Sequence, residues 1–228
     1  MAVSRTEDWA TMTYGTEPHN VSFAIGNGSN RMMCCIVMRE RYTDFVVSEF
    51  SIGGRDHDYT ASITFDTDVD LSMKAFFWDE ESIESFTSSI TTYTDDLVTT
   101  KISWSVATFA DVRQIEPTVA SGTSASATYL DISSTSTSND MLIGALLDSS
   151  NNRAPFDYDT LTERAEHSVE QMASGIADGS GGDGTTRLSN DGLASKMVGM
   201  VINLQGFATS LTDSAGRGVM RGVSRGIM

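Results

Sequence analysis

Two stretches of this chain, Met32-Met-Cys-Cys-Ile-Val-Met38 and Met141-Leu-Ile-Gly-Ala-Leu-Leu147, run without a polar side chain, and Met197-Val-Gly-Met-Val-Ile-Asn-Leu204 is nearly as apolar. None approaches the roughly 20 apolar residues of a membrane-spanning helix. Successive side chains of a strand point to opposite faces, so strands of this kind must be covered on both sides. They belong at the centre of a sandwich or under a covering element.

Shorter segments complete the pattern. Val21–Ile25, Phe45–Ile52, Ala61–Phe65, Leu71–Trp78, Lys101–Val106, Ala107–Val112 and Tyr129–Ile132 read as further strands. Turn residues such as Gly26-Asn-Gly28 and Gly53-Gly54 separate them. Nine or ten strands over 228 residues, rich in Ser, Thr and Gly, predict an all-β fold. The expectation is a single antiparallel β-sandwich, jelly-roll-like, over residues 18–208. An N-terminal arm covers 1–17 and a C-terminal extended arm covers 209–228. One helix is predicted over Thr160–Ala173, where Leu161, Ala165, Val169 and Met172 fall roughly on one face. The glycine-rich stretch Asp178–Gly184 is expected to be a flexible loop.

The formal net charge is −16. A surface this acidic repels nucleic acid and anionic membranes, so neither is an expected partner. Cys34 and Cys35 are adjacent and would face opposite sides of one strand, which disfavours a bridge between them. Unpaired thiols and charged residues at Arg5, Glu7 and Asp8 point to folding in a reducing cytoplasm without a signal peptide.

The last twelve residues depart from this character. Arg217-Gly-Val-Met, Arg221-Gly-Val-Ser and Arg225-Gly-Ile-Met228 repeat with a period of four. Removing their three arginines leaves residues 1–216 at −19. Glycine at every fourth position costs an isolated helix about 1 kcal/mol each, so the segment needs a partner to order it. The expected partner-binding residues are Arg217, Gly218, Val219, Arg221, Gly222, Val223, Arg225, Gly226 and Ile227.

No catalytic or metal site and no cofactor is expected. His19, His57 and His167 have no second ligand at zinc spacing. Asp66, Asp68 and Asp70 begin like a calcium loop, but Leu71 and Phe77 stand where that loop needs Gly and Glu. Asp79, Glu80 and Glu81 offer neighbouring carboxylates of the kind glycoside cleavage uses. Consecutive acids at a strand end read better as a solvated turn.

The order of the motifs adds a resemblance. Asn30-Arg31 opens an apolar strand, Ser51-Ile-Gly-Gly54 ends another, and Ala75-Phe-Phe-Trp78 follows. Ala107-Thr-Phe-Ala-Asp-Val112, Asn139-Asp-Met-Leu-Ile143 and Thr162-Glu-Arg-Ala-Glu166 come next. Over residues 18–208 this succession resembles a diffuse class of β-sandwich proteins of tailed bacteriophages. The chain departs from that class at Asp79–Glu81, where its members often carry prolines. The tail is similar to the Arg-Gly ends of some phage virion proteins. The resemblance implies a virion structural protein assembled in the host cytoplasm, such as a capsid decoration or cement protein. Its expected partners are the major capsid protein or other virion proteins, and sister copies in a homo-oligomer. The alternative is a tail-fibre or surface module that recognises host glycans.

Overall fold

The computed structural model describes residues 1–14, 19–40, 51–52, 55–65, 71–86, 90–93, 101–149, 156–169, 172–182, 184–190 and 194–208. In chain order the strands are β1 (Ser4–Arg5), β2 (Ala10–Tyr14), β3 (His19–Ser22), β4 (Met32–Glu40), β5 (Ser51–Ile52) and β6 (Arg55–Asp56). Then come β7 (Tyr59–Phe65), β8 (Leu71–Trp78), the helix α1 (Glu80–Glu84), β9 (Ile90–Tyr93), β10 (Lys101–Ala110) and β11 (Thr118–Ala127). The second half holds β12 (Tyr129–Ser134), β13 (Met141–Asp148), β14 (Phe156–Asp157), β15 (Thr162–Val169), β16 (Met172–Ser180), β17 (Gly184–Asn190) and β18 (Ser195–Leu204). All pairings are antiparallel, and the fold is all-β and sandwich-like with one short helix.

Two large sheets form the centre. One runs β1-β10-β4-β8-β7, with β2 also on β10; the other runs β11-β18-β13-β16-β15. Between them lies a core of Met32, Cys34, Ile36 and Met38 from β4, facing Ile143, Ala145 and Leu147 from β13 and Val198, Met200 and Ile202 from β18. The intervening residues of the same strands point outward into two further cores. Met33, Cys35 and Val37 pack with Phe76, Trp78 and Trp104 under Phe23, Ile52 of β5 and Ile83 of α1. Leu142, Leu146, Met197 and Val201 pack under Leu130 and Ile132 of β12 and Leu188 of β17. The three-stranded sheet β12-β17-β14 and the four-stranded sheet β3-β9-β5-β6 supply these covers. The uninterrupted apolar runs are thereby explained: each central strand is buried on both faces. Complete burial of one such side chain contributes about 1.5–3 kcal/mol, so a register slip of a central strand is prohibitive.

Close approach of the outer sheet to the second central sheet depends on glycines. A Cβ at Gly199 would lie 2.8 Å from Leu130 Cδ1, and one at Gly144 would lie 2.9 Å from Leu161 Cδ1. The central layers are also joined by a buried hydroxyl pair, Ser103 Oγ to Ser174 Oγ at 2.7 Å.

Several expectations are corrected. The described residues of Thr160–Ala173 are not helical: β15 and the start of β16 occupy them. Steps of four, as from Leu161 to Ala165 to Val169, fit one face of a strand as well as one face of a helix. The strand β15 carries a β-bulge between Glu163 and Ala165. Asp178, Gly179 and Ser180 are not loop but the end of β16, and Asp178 is buried. Lys101–Ala110 is one strand, not two. The run Ser121–Ser126, whose polar residues do not mark a strand in the sequence, lies within β11, an edge strand paired with β18. Phe23 and Ile25 lie beyond β3 rather than inside a strand. The segment set apart as an N-terminal arm belongs, over residues 1–14, to the sandwich. Its strands β1 and β2 pair with β10, and Val3 and Trp9 enter the central core.

The Asp79-Glu80-Glu81 turn is the start of α1. Asp79 is its N-cap and accepts from Ser82 N at 3.1 Å. Glu80 accepts from the side chain and backbone of Arg31, with Arg31 Nε at 2.8 Å. Arg31 follows Asn30, which sits at φ 51° and accepts a backbone bond from Val112 N at 3.0 Å. Asn tolerates this left-handed conformation better than most residues. Burial raises the Glu80 carboxyl, but the hydrogen bonds and charge of Arg31 more than reverse this and hold it below its ordinary value.

Candidate functional site

The residues singled out for partner binding, Arg217 through Ile227, lie outside the described residues. So do Asp66, Asp68 and Asp70. His57 is seated among aromatics, edge-on to Phe76 at 4.9 Å and to Trp78 at 6.4 Å between ring centres. Cys34 and Cys35 point into separate cores, both fully buried and unbridged. Burial pushes both thiols far above their ordinary value, which keeps them from being nucleophiles.

A buried polar arrangement that joins the two central sheets centres on Asp178, near the end of β16 on the side that faces the other central sheet. Its Oδ2 accepts from Trp9 Nε1 at 2.8 Å and from Arg5 Nη1 at 3.0 Å. Its Oδ1 accepts from Arg164 Nε at 2.7 Å. The donors come from both central sheets: Arg5 is in β1, Trp9 precedes β2, and Arg164 is in β15. The Asp178 side chain is 2% exposed, against 17% for Arg5 and 30% for Arg164. A carboxylate this buried is tolerable only when paired and hydrogen-bonded, and both oxygens are.

The β15 bulge builds this site. Opposite residues of an antiparallel pair project to the same face, and Thr162 pairs with Asp178 while Glu163 pairs with Ala177. Arg164 is the extra residue, which lets its guanidinium reach across to Asp178. Beside it opens a groove of about 620 Å³, lined by Arg5, Arg164, Asp178, Thr160, Thr162 and Ser180, among others.

The bulge also brings Glu163 and Glu166 to one face, since their partners Ala177 and Gly175 are two residues apart. Burial, the charge of Glu166 and a hydrogen bond between the two carboxyls push Glu163 above its ordinary value. The buried Tyr158 hydroxyl stands over Gly175, where a Cβ would lie 1.9 Å from it. On the outer sheet, Asp131 accepts two bonds from Arg187, at 2.8 and 2.9 Å, and the guanidinium lies 4.2 Å from the ring centre of the half-exposed Tyr129. A shallow cleft of about 290 Å³ adjoins that pair. Among the described residues, no group of three or more His, Cys, Asp or Glu converges as metal ligands would.

Comparison of the chain with protein-family models, with curated proteins and with solved structures finds no match.

Sequence reasoning missed the Asp178 and Glu80 sites. The second had a readable signal: Asp79 followed by two acids is the signature of a capped helix N-terminus. The first had none, because Arg5 and Asp178 are 173 residues apart and meet only through the stacking of the two sheets.

Proposed function

We propose that this chain is a structural protein of a bacteriophage virion, a decoration or cement protein of the head. Its acidic sandwich faces solvent, and its Arg-Gly tail docks on the capsid shell and on sister copies. The observation that carries this reading is the segregation of charge. A body of −19 is followed by three arginines at a period of four in the last twelve residues. Within the body, Arg5, Arg31, Arg164 and Arg187 are each paired with a carboxylate of the same fold. Their charge goes into holding the fold, and the tail's basic repeat is the segment written for a partner. Sheets stacked with cores on both faces make a stiff body, as a shell component requires.

Reconstitution tests the reading. Purified full-length protein is mixed with phage heads that lack it and imaged by cryo-electron microscopy, beside a variant without residues 216–228. Density at regular capsid positions with the full chain, and bare heads with the truncated one, is the expected result. The truncated protein should keep the melting temperature of the full chain. Bare heads with the full chain would overturn the proposal. The Tyr129–Arg187 face, an aromatic ring beside a charged pair, favours glycan recognition on host cells as the second reading, which cell-binding assays would then address.

A further inference from the structure

We propose that the groove beside Asp178 binds a small carboxylate, with the size and polarity of a hexuronic acid, on the outer nitrogens of Arg164. No residue of the site belongs to the tail, so its success or failure is independent of capsid docking.

Charge is the first argument. Two guanidiniums and one carboxylate line the groove on a chain whose total is −16, and the second carboxylate that pairs with Arg5, Asp8 at 3.2 Å, is 98% exposed to solvent. Asp178 has both oxygens engaged by Trp9, Arg5 and Arg164, so it is not free to accept from an incoming group. Arg164 donates to Asp178 through Nε alone. Among the described residues its two terminal nitrogens make no hydrogen bond, and they form the flat pair of donors that a carboxylate accepts side by side.

Construction is the second argument. Arg164 is the residue that the bulge inserts into β15. Bulges re-aim side chains, and this one turns an arginine into the groove wall. A guanidinium placed only to neutralise Asp178 would duplicate Arg5, which already does so.

The lining sets the rest of the ligand. The volume of about 620 Å³ falls within the usual range of small-molecule sites and far exceeds a lone carboxylate. Hydroxyls of Ser4, Thr160, Thr162 and Ser180 border it, with Val3 and Met141 as apolar surface. A lining of mixed hydroxyl and apolar groups suits a sugar ring. The one guanidinium with unengaged terminal nitrogens, Arg164, matches a singly charged carboxylate, whereas a doubly charged phosphate would leave one negative charge uncompensated.

The test is titration of the full chain with galacturonate, followed by amide NMR shifts and calorimetry, with galactose and inorganic phosphate as comparators. Saturable binding at roughly millimolar Kd is expected. The shifts should centre on Thr162, Gly179 and Ser180. Galactose should not saturate, and phosphate should bind at least about tenfold more weakly. Arg164→Gln should weaken galacturonate by about tenfold or more, the loss of one charge-assisted contact. Absence of saturation, equal binding of phosphate, or undiminished binding by R164Q would each overturn the proposal. Should R164Q fail to fold, the wild-type shift map decides, and shifts centred away from the groove would refute it.

Discussion

Replacing Asp178 by Ala removes the carboxylate that ties the two central sheets together at one margin. Three donors lose their acceptor: Trp9 Nε1, Arg5 Nη1 and Arg164 Nε. Breaking a fully buried ion pair from one side costs about 3–5 kcal/mol. Here the arginines are 17% and 30% exposed, so water recovers part of their solvation. The lower end, about 3 kcal/mol, is therefore expected. For a chain of this length that corresponds to a melting-temperature drop of roughly 6–12 °C. Urea unfolding followed by tryptophan fluorescence measures it, and Trp9 reports from the site itself. A double-mutant cycle with Arg164→Ala should show the two losses to be strongly non-additive, because both remove one contact. A change below about 0.5 kcal/mol for D178A, the size of an ordinary surface substitution, would refute the account of Asp178 as the tie between the sheets.

Other expectations follow from the same geometry. Glu163 has its carboxyl raised, so the folded state holds the proton more tightly than the unfolded chain. Its contribution is then fully present below the ordinary Glu value and is lost as pH climbs through the raised folded one; Glu163→Gln should flatten that decline in a pH series of melting temperatures. Gly199→Ala forces a methyl against Leu130 and should cost about 1–3 kcal/mol by overpacking, measured by chemical denaturation. Cys34 and Cys35 should be inert to a thiol reagent in the native protein and should both react in urea; fast native labelling of either would contradict their burial.

The central strands were legible because their constraint is local. Met32–Met38 and Met141–Leu147 carry apolar residues at every position, and only two-sided burial satisfies them. The opposed directions of Cys34 and Cys35 follow from the same alternation. What was hidden depends on departures from alternation or on distant partners. The β15 bulge, which shifts Glu166 onto the face of Glu163, left no mark in the sequence, and the four-residue spacing of Leu161, Ala165 and Val169 fits a helix face as well as a strand face. The edge strand β11, largely Ser, Thr, Gly and Ala, lacks the apolar face that marks a strand in sequence. A charge as consequential as Asp178 sat in a glycine-rich stretch that reads as loop. Gly179 and Gly181 contribute to that impression, yet Gly179 is tightly flanked, with Leu161 Cδ2 3.2 Å from where its Cβ would be.

The bulge links stability to the candidate site. It carries Arg164 to Asp178, and Asp178 in turn receives Arg5 and Trp9 from the first strands of the chain. One carboxylate therefore both ties the sheets and offsets positive charge in the groove. These roles pull in opposite directions. Replacing Asp178 by Asn keeps the shape but removes one negative charge from the groove. An anion would be held more tightly while the fold is weakened. A residue retained only for stability would show no such opposition, and a groove without an anion site would show no gain in affinity. Measuring galacturonate affinity and melting temperature on the same D178N protein separates these cases, because stability and binding move with opposite sign only where Asp178 serves both.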